Sequence, residues 1–161
     1  RSSLTSLVSS PSLVRTPGDG HDFTQICAGW EQSILVSSRG SLWGGGTNRG
    51  RCLAEDEDLE RVLGVQILKI SEVEDFEVST VHAGREHFVA VQRGGRLVLT
   101  WGSTNEFGQT GQGADRVGLG PCLPRSFALQ PKVRVCAIAC GQDHTLALTE
   151  RAEVFAWGEG T

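Results

Sequence analysis

The sequence predicts an all-β chain built from tandem antiparallel hairpin units that must stack side by side to bury a core. Three observations carry that expectation. The 161 residues include 21 glycines, with Val, Leu, Ile and Thr in short clusters between Gly, Ser and Asn, a composition suited to many short strands joined by tight turns. One pattern recurs when the chain is compared with itself at a fixed offset. Within each copy, two strand-like runs flank a short polar turn, which is how a hairpin reads in sequence.

The recurrence is clearest with Gly29, Gly84 and Gly141 in register, at offsets of 55 and 57 residues. The segments FTQICAGWEQSILV, VSTVHAGREHFVAV and VCAIACGQDHTLAL then fall together. An apolar residue lies six before each glycine (Phe23, Val78, Val135) and another three before it (Ile26, Val81, Ile138), with small or polar residues between. Three residues after the glycine comes Gln32, His87 or His144, followed by the runs Ser33 to Val36, Phe88 to Val91 and Thr145 to Leu148. Continuous apolar runs of this length suit strands buried on both faces.

A polar turn follows each run: Ser38-Arg39-Gly40, Arg93-Gly94-Gly95 and Glu150-Arg151-Ala152. A second strand then ends in Gly46, Gly102 or Gly158, which lie 17, 18 and 17 residues after the first glycines. The first two copies continue alike, Thr47-Asn48-Arg49-Gly50 beside Thr104-Asn105-Glu106-Phe107-Gly108, whereas the third runs only to Gly160-Thr161. Repeats are expected to start near residues 22, 77 and 134. Residues 1–21 read as a tail or as the outer strand of a preceding blade.

These residues resemble the regulator of chromosome condensation repeat, whose unit reads roughly Ala/Cys-Gly-x-x-His, strand, Gly, strand, Trp-Gly-x-Asn-x-x-Gly-Gln-Leu-Gly. The middle copy matches with Ala83-Gly84, His87, Gly94-Gly95, Trp101-Gly102, Asn105, Gly108-Gln109 and Gly111, and the third with Cys140-Gly141, His144 and Trp157-Gly158. The first copy has Ala28-Gly29 and Gly40 but carries Gln32 for His, Gly45 for Trp and Arg51 for Gln. The resemblance implies β-propeller blades of antiparallel sheet. Because the family closes as seven blades, about two and a half repeats across residues 22–161 imply an incomplete ring, with the remaining blades expected from a longer chain. A blade buries its faces only against neighbours, so stability is collective.

Under this resemblance Gly29, Gly84, Gly141, Gly46, Gly102, Gly158, His87, His144, Trp101 and Trp157 are structural: corners, histidines bonded to a neighbouring blade's backbone, and packing between blades. The stretch 54–78 holds an aliphatic centre, Val62 to Ile70, expected as an outer strand. The acids around it are either a solvated rim that protects a strand edge or a docking patch for a basic partner.

Several function classes are disfavoured. Fifteen Lys and Arg against 19 Asp and Glu give a formal charge of −4, so no global attraction to nucleic acid or anionic lipid is expected. No 18-residue apolar span is present, so no membrane role is expected. Five cysteines without a Cys-x-x-Cys pair imply neither a disulfide framework nor a thiolate zinc site, and fit a cytoplasmic or nuclear protein. The glycines at 44–46 and 108–113 have no following helix and no P-loop lysine, and are read as turn glycines. Asp143-His144 suggests a general base, but Glu86-His87 and Glu31-Gln32 stand at the same places, so architecture explains the pair. No catalytic residue, metal or cofactor is assigned.

What remains is recognition. The loop after each first glycine offers Trp30 and Glu31, Arg85 and Glu86, and Gln142 and Asp143 as candidate partner-binding residues. Trp30 is either an exposed anchor or a residue buried against a neighbouring blade that is missing from this chain. The resemblance implies a protein-protein interaction module or scaffold. The alternative is guanine-nucleotide exchange on a Ran-like or Rab-like small GTPase, the one enzymatic role it suggests.

Overall fold

A computed structural model describes residues 22–53, 60–67, 76–113, 122–127 and 132–160. Residues 1–21, the acids at 55–58 and 72–75, and Pro121 lie outside them. Three antiparallel sheets follow one another along the chain. The first contains β1 (Phe23–Ala28), β2 (Gln32–Ser37), β3 (Leu42–Thr47) and β4 (Arg61–Ile67). The second contains β5 (Val78–Ala83), β6 (His87–Gln92), β7 (Val98–Gly102) and β8 (Cys122–Phe127), and the third β9 (Val135–Cys140), β10 (His144–Thr149) and β11 (Val154–Gly158). Strand order in each sheet equals chain order. The aliphatic stretch after Val62 does supply an outer strand, β4, which pairs with β3.

Side-chain alternation decides how the blades stack, because neighbouring strand residues point to opposite faces. In the middle blade Phe88, Ala90, Leu99 and Trp101 face the first blade and meet Ile34, Val36 and Leu42. Val89, Val91 and Val98 face the third blade and meet Val135, Ile138 and Ala147. Only the middle blade is therefore sealed on both sides. The expectation that all three runs are doubly buried holds for β6, whereas Leu146 and Leu148 of β10 remain 39% exposed, Ile26 77% and Val154 65%. Among the described residues, each outer blade has a neighbour on one flank only.

One expectation is corrected. Gly44, Gly45 and Gly46 are not turn residues: they lie in β3, paired with Ile34, Ser33 and Gln32. A glycine run in a strand lets other backbone approach closely, and a Cβ on Gly46 would run into the Glu31 carbonyl.

The joints between blades repeat. The Val78 N–H donates to the Gly40 carbonyl at 2.9 Å, and the Val135 N–H to the Gly95 carbonyl at 2.7 Å. Both glycines have positive φ, +80° and +72°, and a Cβ on Gly40 would be 2.9 Å from the Val78 nitrogen. The turn therefore needs glycine both for its conformation and for the strand it receives. Ala152 holds the same turn position in the third blade at φ 60° and is exposed.

Candidate protein-binding face

The candidate loops are built alike. The Gly29, Gly84 and Gly141 N–H groups donate to the carbonyls of Gln32, His87 and His144 at 2.9, 2.8 and 2.9 Å, closing three identical turns. The residues inside each turn are the candidate pairs. Main-chain bonds also join one turn to the next: the Trp30 N–H donates to the Arg85 carbonyl at 2.9 Å, and the Arg85 N–H to the Gln142 carbonyl at 3.0 Å. This ladder aligns Trp30, Arg85 and Gln142, all exposed, in one row. Across it the Arg85 guanidinium carbon stands 3.9 Å from the centre of the Trp30 ring, a cation–π contact. Trp30 remains 63% exposed. Together with Ala83, Gly84 and Gly141 the three side chains line a shallow depression of about 600 Å³.

The second residues of the turns diverge. Glu31 is exposed, but Glu86 is half-buried, accepting from the Thr104 hydroxyl at 3.3 Å and lying 3.9 Å from Arg49, and Asp143 is only 7% exposed. The structure thus gathers Trp30, Arg85 and Gln142, with Glu31 at the edge, and turns Glu86 and Asp143 inward. Their backbones have a shared task that explains the recurrence. The carbonyls of Glu31, Glu86 and Asp143 accept from the N–H groups of Thr47, Ser103 and Glu159 at 3.0, 2.9 and 2.8 Å, tying each turn to the end of its hairpin.

Beneath the row lie the structural residues. His87 is fully buried. Its partner across the joint is a side chain, with Nε2 2.9 Å from the Thr145 hydroxyl, rather than the backbone expected from sequence. Burial pushes the His87 imidazole down to about 4, against a smaller opposing influence from Asp143. The ring lies where a Cβ on Gly84 would be, and His144 lies likewise at Gly141, so glycine three before histidine is a steric requirement. The place that Thr145 holds in the third copy is held in the second by Phe88, which has no hydroxyl to share with Gln32. Gln32 instead turns its Nε2 to the Thr47 carbonyl of its own blade, at 3.3 Å. Phe88 stacks on Trp101 with ring centres 5.3 Å apart. Trp157 reaches back across the other joint, its indole N–H donating to the Gln109 carbonyl at 2.9 Å.

Sequence reasoning missed one recurring set. Thr24, Ser79 and Cys136 each stand five before a first glycine, and their hydroxyl or thiol donates to the carbonyls of Val36, Val91 and Leu148 at 3.3, 3.1 and 3.3 Å. Each falls at a shift in strand register, so a short side-chain donor supports a β-bulge. The signal was present, a small donor at one fixed place, but three different residue types obscured it. Among the described residues no cluster of three His, Cys, Asp or Glu is arranged to hold a metal.

Residues 135–161 match the family model described as the Regulator of chromosome condensation (RCC1) repeat. The chain is a partial β-propeller of the RCC1-like kind. Over 151 residues it is 34% identical to the Ultraviolet-B receptor UVR8 of Arabidopsis thaliana, covering 94% of this chain and 32% of that protein. Over 159 residues it is 29% identical to the human probable E3 ubiquitin-protein ligase HERC4, covering 96% of this chain and 14% of that one. The crystal structure of human WBSCR16 superposes with a TM-score of 0.78 at 27% identity, across 95% of this chain and 38% of that one. The RCC1-type chain therefore spans about a third of the first of these relatives and less of the second, and its three sheets are propeller blades.

Proposed function

We propose that these RCC1-type blades serve as a protein-interaction module, with the Trp30, Arg85 and Gln142 row as the contact surface. The observation that carries the reading is the main-chain ladder. It holds three loops from three blades in one register and spends no side chain doing so. An exposed indole beneath a guanidinium is the kind of anchor that dominates protein interfaces, because Trp and Arg add contact area and donors with little further ordering on binding. The relatives support the coarse form of this reading. One is named as a receptor and another as a probable ubiquitin ligase, so the repeat they share with this chain is more economically a module than the seat of either activity.

The test replaces Trp30 and Arg85 together by alanine in the longest chain that contains these blades. The expected result is loss of the stably co-purifying partner with an unchanged melting midpoint. Retention of the partner by the double variant removes this face from consideration. Guanine-nucleotide exchange is the competing reading and has its own readout: faster release of labelled GDP from a panel of small GTPases selects it, whereas unchanged release beside a stable complex selects the module.

A further inference from the structure

We infer that the Trp30–Arg85 pair receives a carboxylate from an acidic peptide segment of the partner, an inference that rests on the binding-face reading above. The position of the guanidinium over the ring is the starting point. Its carbon stands 3.9 Å from the ring centre, and N–H donors directed away from the indole remain available, in the fork that matches a carboxylate. Arg49 and Arg93 each have a glutamate, at 3.9 and 3.3 Å. Arg85 has none within ion-pair distance among the described residues, and the Trp30 ring is its one described side-chain contact.

The acid next to Arg85 in sequence and the acid of the third turn are turned inward. Glu86 is held by Thr104 and Arg49, and Asp143 is buried. Arg85 is therefore a preorganised cation with an unfilled valence, and less side-chain freedom is lost when it binds.

The surroundings indicate what carries the carboxylate. The depression beside the pair is floored by Gly84 and Gly141, which the histidine rings beneath keep free of side chains, so an extended main chain can approach closely. Gln142, exposed at the end of the row, adds an amide that can bond a peptide backbone. The indole has one face under Arg85 and is still 63% exposed, leaving apolar area for the residue beside the acid. One guanidinium balances one carboxylate. A phosphate dianion would leave a charge uncompensated next to Glu31 and Glu86, so the site favours the carboxylate.

The experiment titrates the folded chain, observed by NMR at the Trp30 indole N–H and the Arg85 side-chain N–H, with three probes. These are a capped five-residue peptide centred on Ala-Glu-Leu, its Ala-Gln-Leu counterpart, and inorganic phosphate. The glutamate peptide is expected to move both resonances, and the glutamine peptide to bind at least about tenfold more weakly. R85Q is expected to abolish the difference between the peptides, and R85K to retain part of it. Equal binding of both peptides, no movement with either, or phosphate acting at a lower concentration than the glutamate peptide each overturns the inference. The peptide comparison is made on the unaltered chain, so it stands even if R85Q impairs folding. If the peptides show no carboxylate preference while the Trp30 and Arg85 double alanine variant still loses the natural partner, the binding face stands and the carboxylate inference alone falls.

Discussion

Acidification should loosen the joint between the second and third blades, and His87 sets the pH at which it does so. The imidazole is completely buried, bonded through Nε2 to Thr145, and its Nδ1 has no hydrogen-bond partner. Burial holds the ring neutral, its pKa lowered from 6.5 to about 4 chiefly by desolvation, with Asp143 opposing it more weakly. In the unfolded chain it protonates near the ordinary value, so between pH 6.5 and 4 the unfolded state binds the extra proton. The stability from neutral His87 is therefore complete above pH 6.5, falls as the pH drops toward 4, and from this group falls no further below that. Each unit of separation is worth about 1.4 kcal/mol, so the full effect is about 3 kcal/mol, a large share of an ordinary domain's stability. Urea denaturation of the chain and of H87Q from pH 7.5 to 4 measures it. Glutamine cannot titrate, so the gap between the two proteins should narrow by about 3 kcal/mol on acidification. A gap independent of pH would refute the reasoning and would mean that His87 is hydrated or paired in the folded chain.

Further outcomes follow from packing and exposure. Trp101, fully buried against Phe88, should cost about 3–5 kcal/mol when replaced by alanine, and the same change at the half-buried Trp157 should cost less; equal urea midpoints for the two variants would contradict the burial difference. G84A should destabilise by about 1–3 kcal/mol because its methyl group meets the His87 ring, whereas G94A, at φ +92° with nothing within 4 Å, should show only the smaller backbone strain. Thermal melts compare them. Cys136 is exposed, while burial lifts the Cys27 and Cys52 thiols to about 12 and Cys140 to about 11. In native buffer iodoacetamide should therefore modify Cys136 ahead of those three, with peptide mass mapping as the readout, and early labelling of Cys52 would show that the first joint opens.

The fold was legible where side-chain chemistry itself repeats. Gly84 and Gly141 with their histidines, the apolar runs and the Trp-Gly endings all follow from steric or burial demands that admit few residue types. Other features were hidden because the repeating element is not a residue type. The bonds linking Trp30, Arg85 and Gln142 belong to the backbone, which any non-proline residue supplies. Thr24, Ser79 and Cys136 share a short donor but no name. Asp143 looked available because charged residues are usually exposed, yet it is buried while Glu31, at the same place in the first turn, is exposed. The triple glycine of β3 was misread because glycine marks turns more often than strands, and only the pairing of Gly44 with Ile34 and Gly46 with Gln32 shows which applies.

The main-chain ladder has one more consequence. Since the loops are clamped to each other without help from the groups they display, the display positions behave as interchangeable sockets: indole, guanidinium and amide already occupy three of them on the same scaffold. A change of specificity can then be made one socket at a time, at little expense to folding, so what such a surface recognises can drift while the architecture that presents it stays the same.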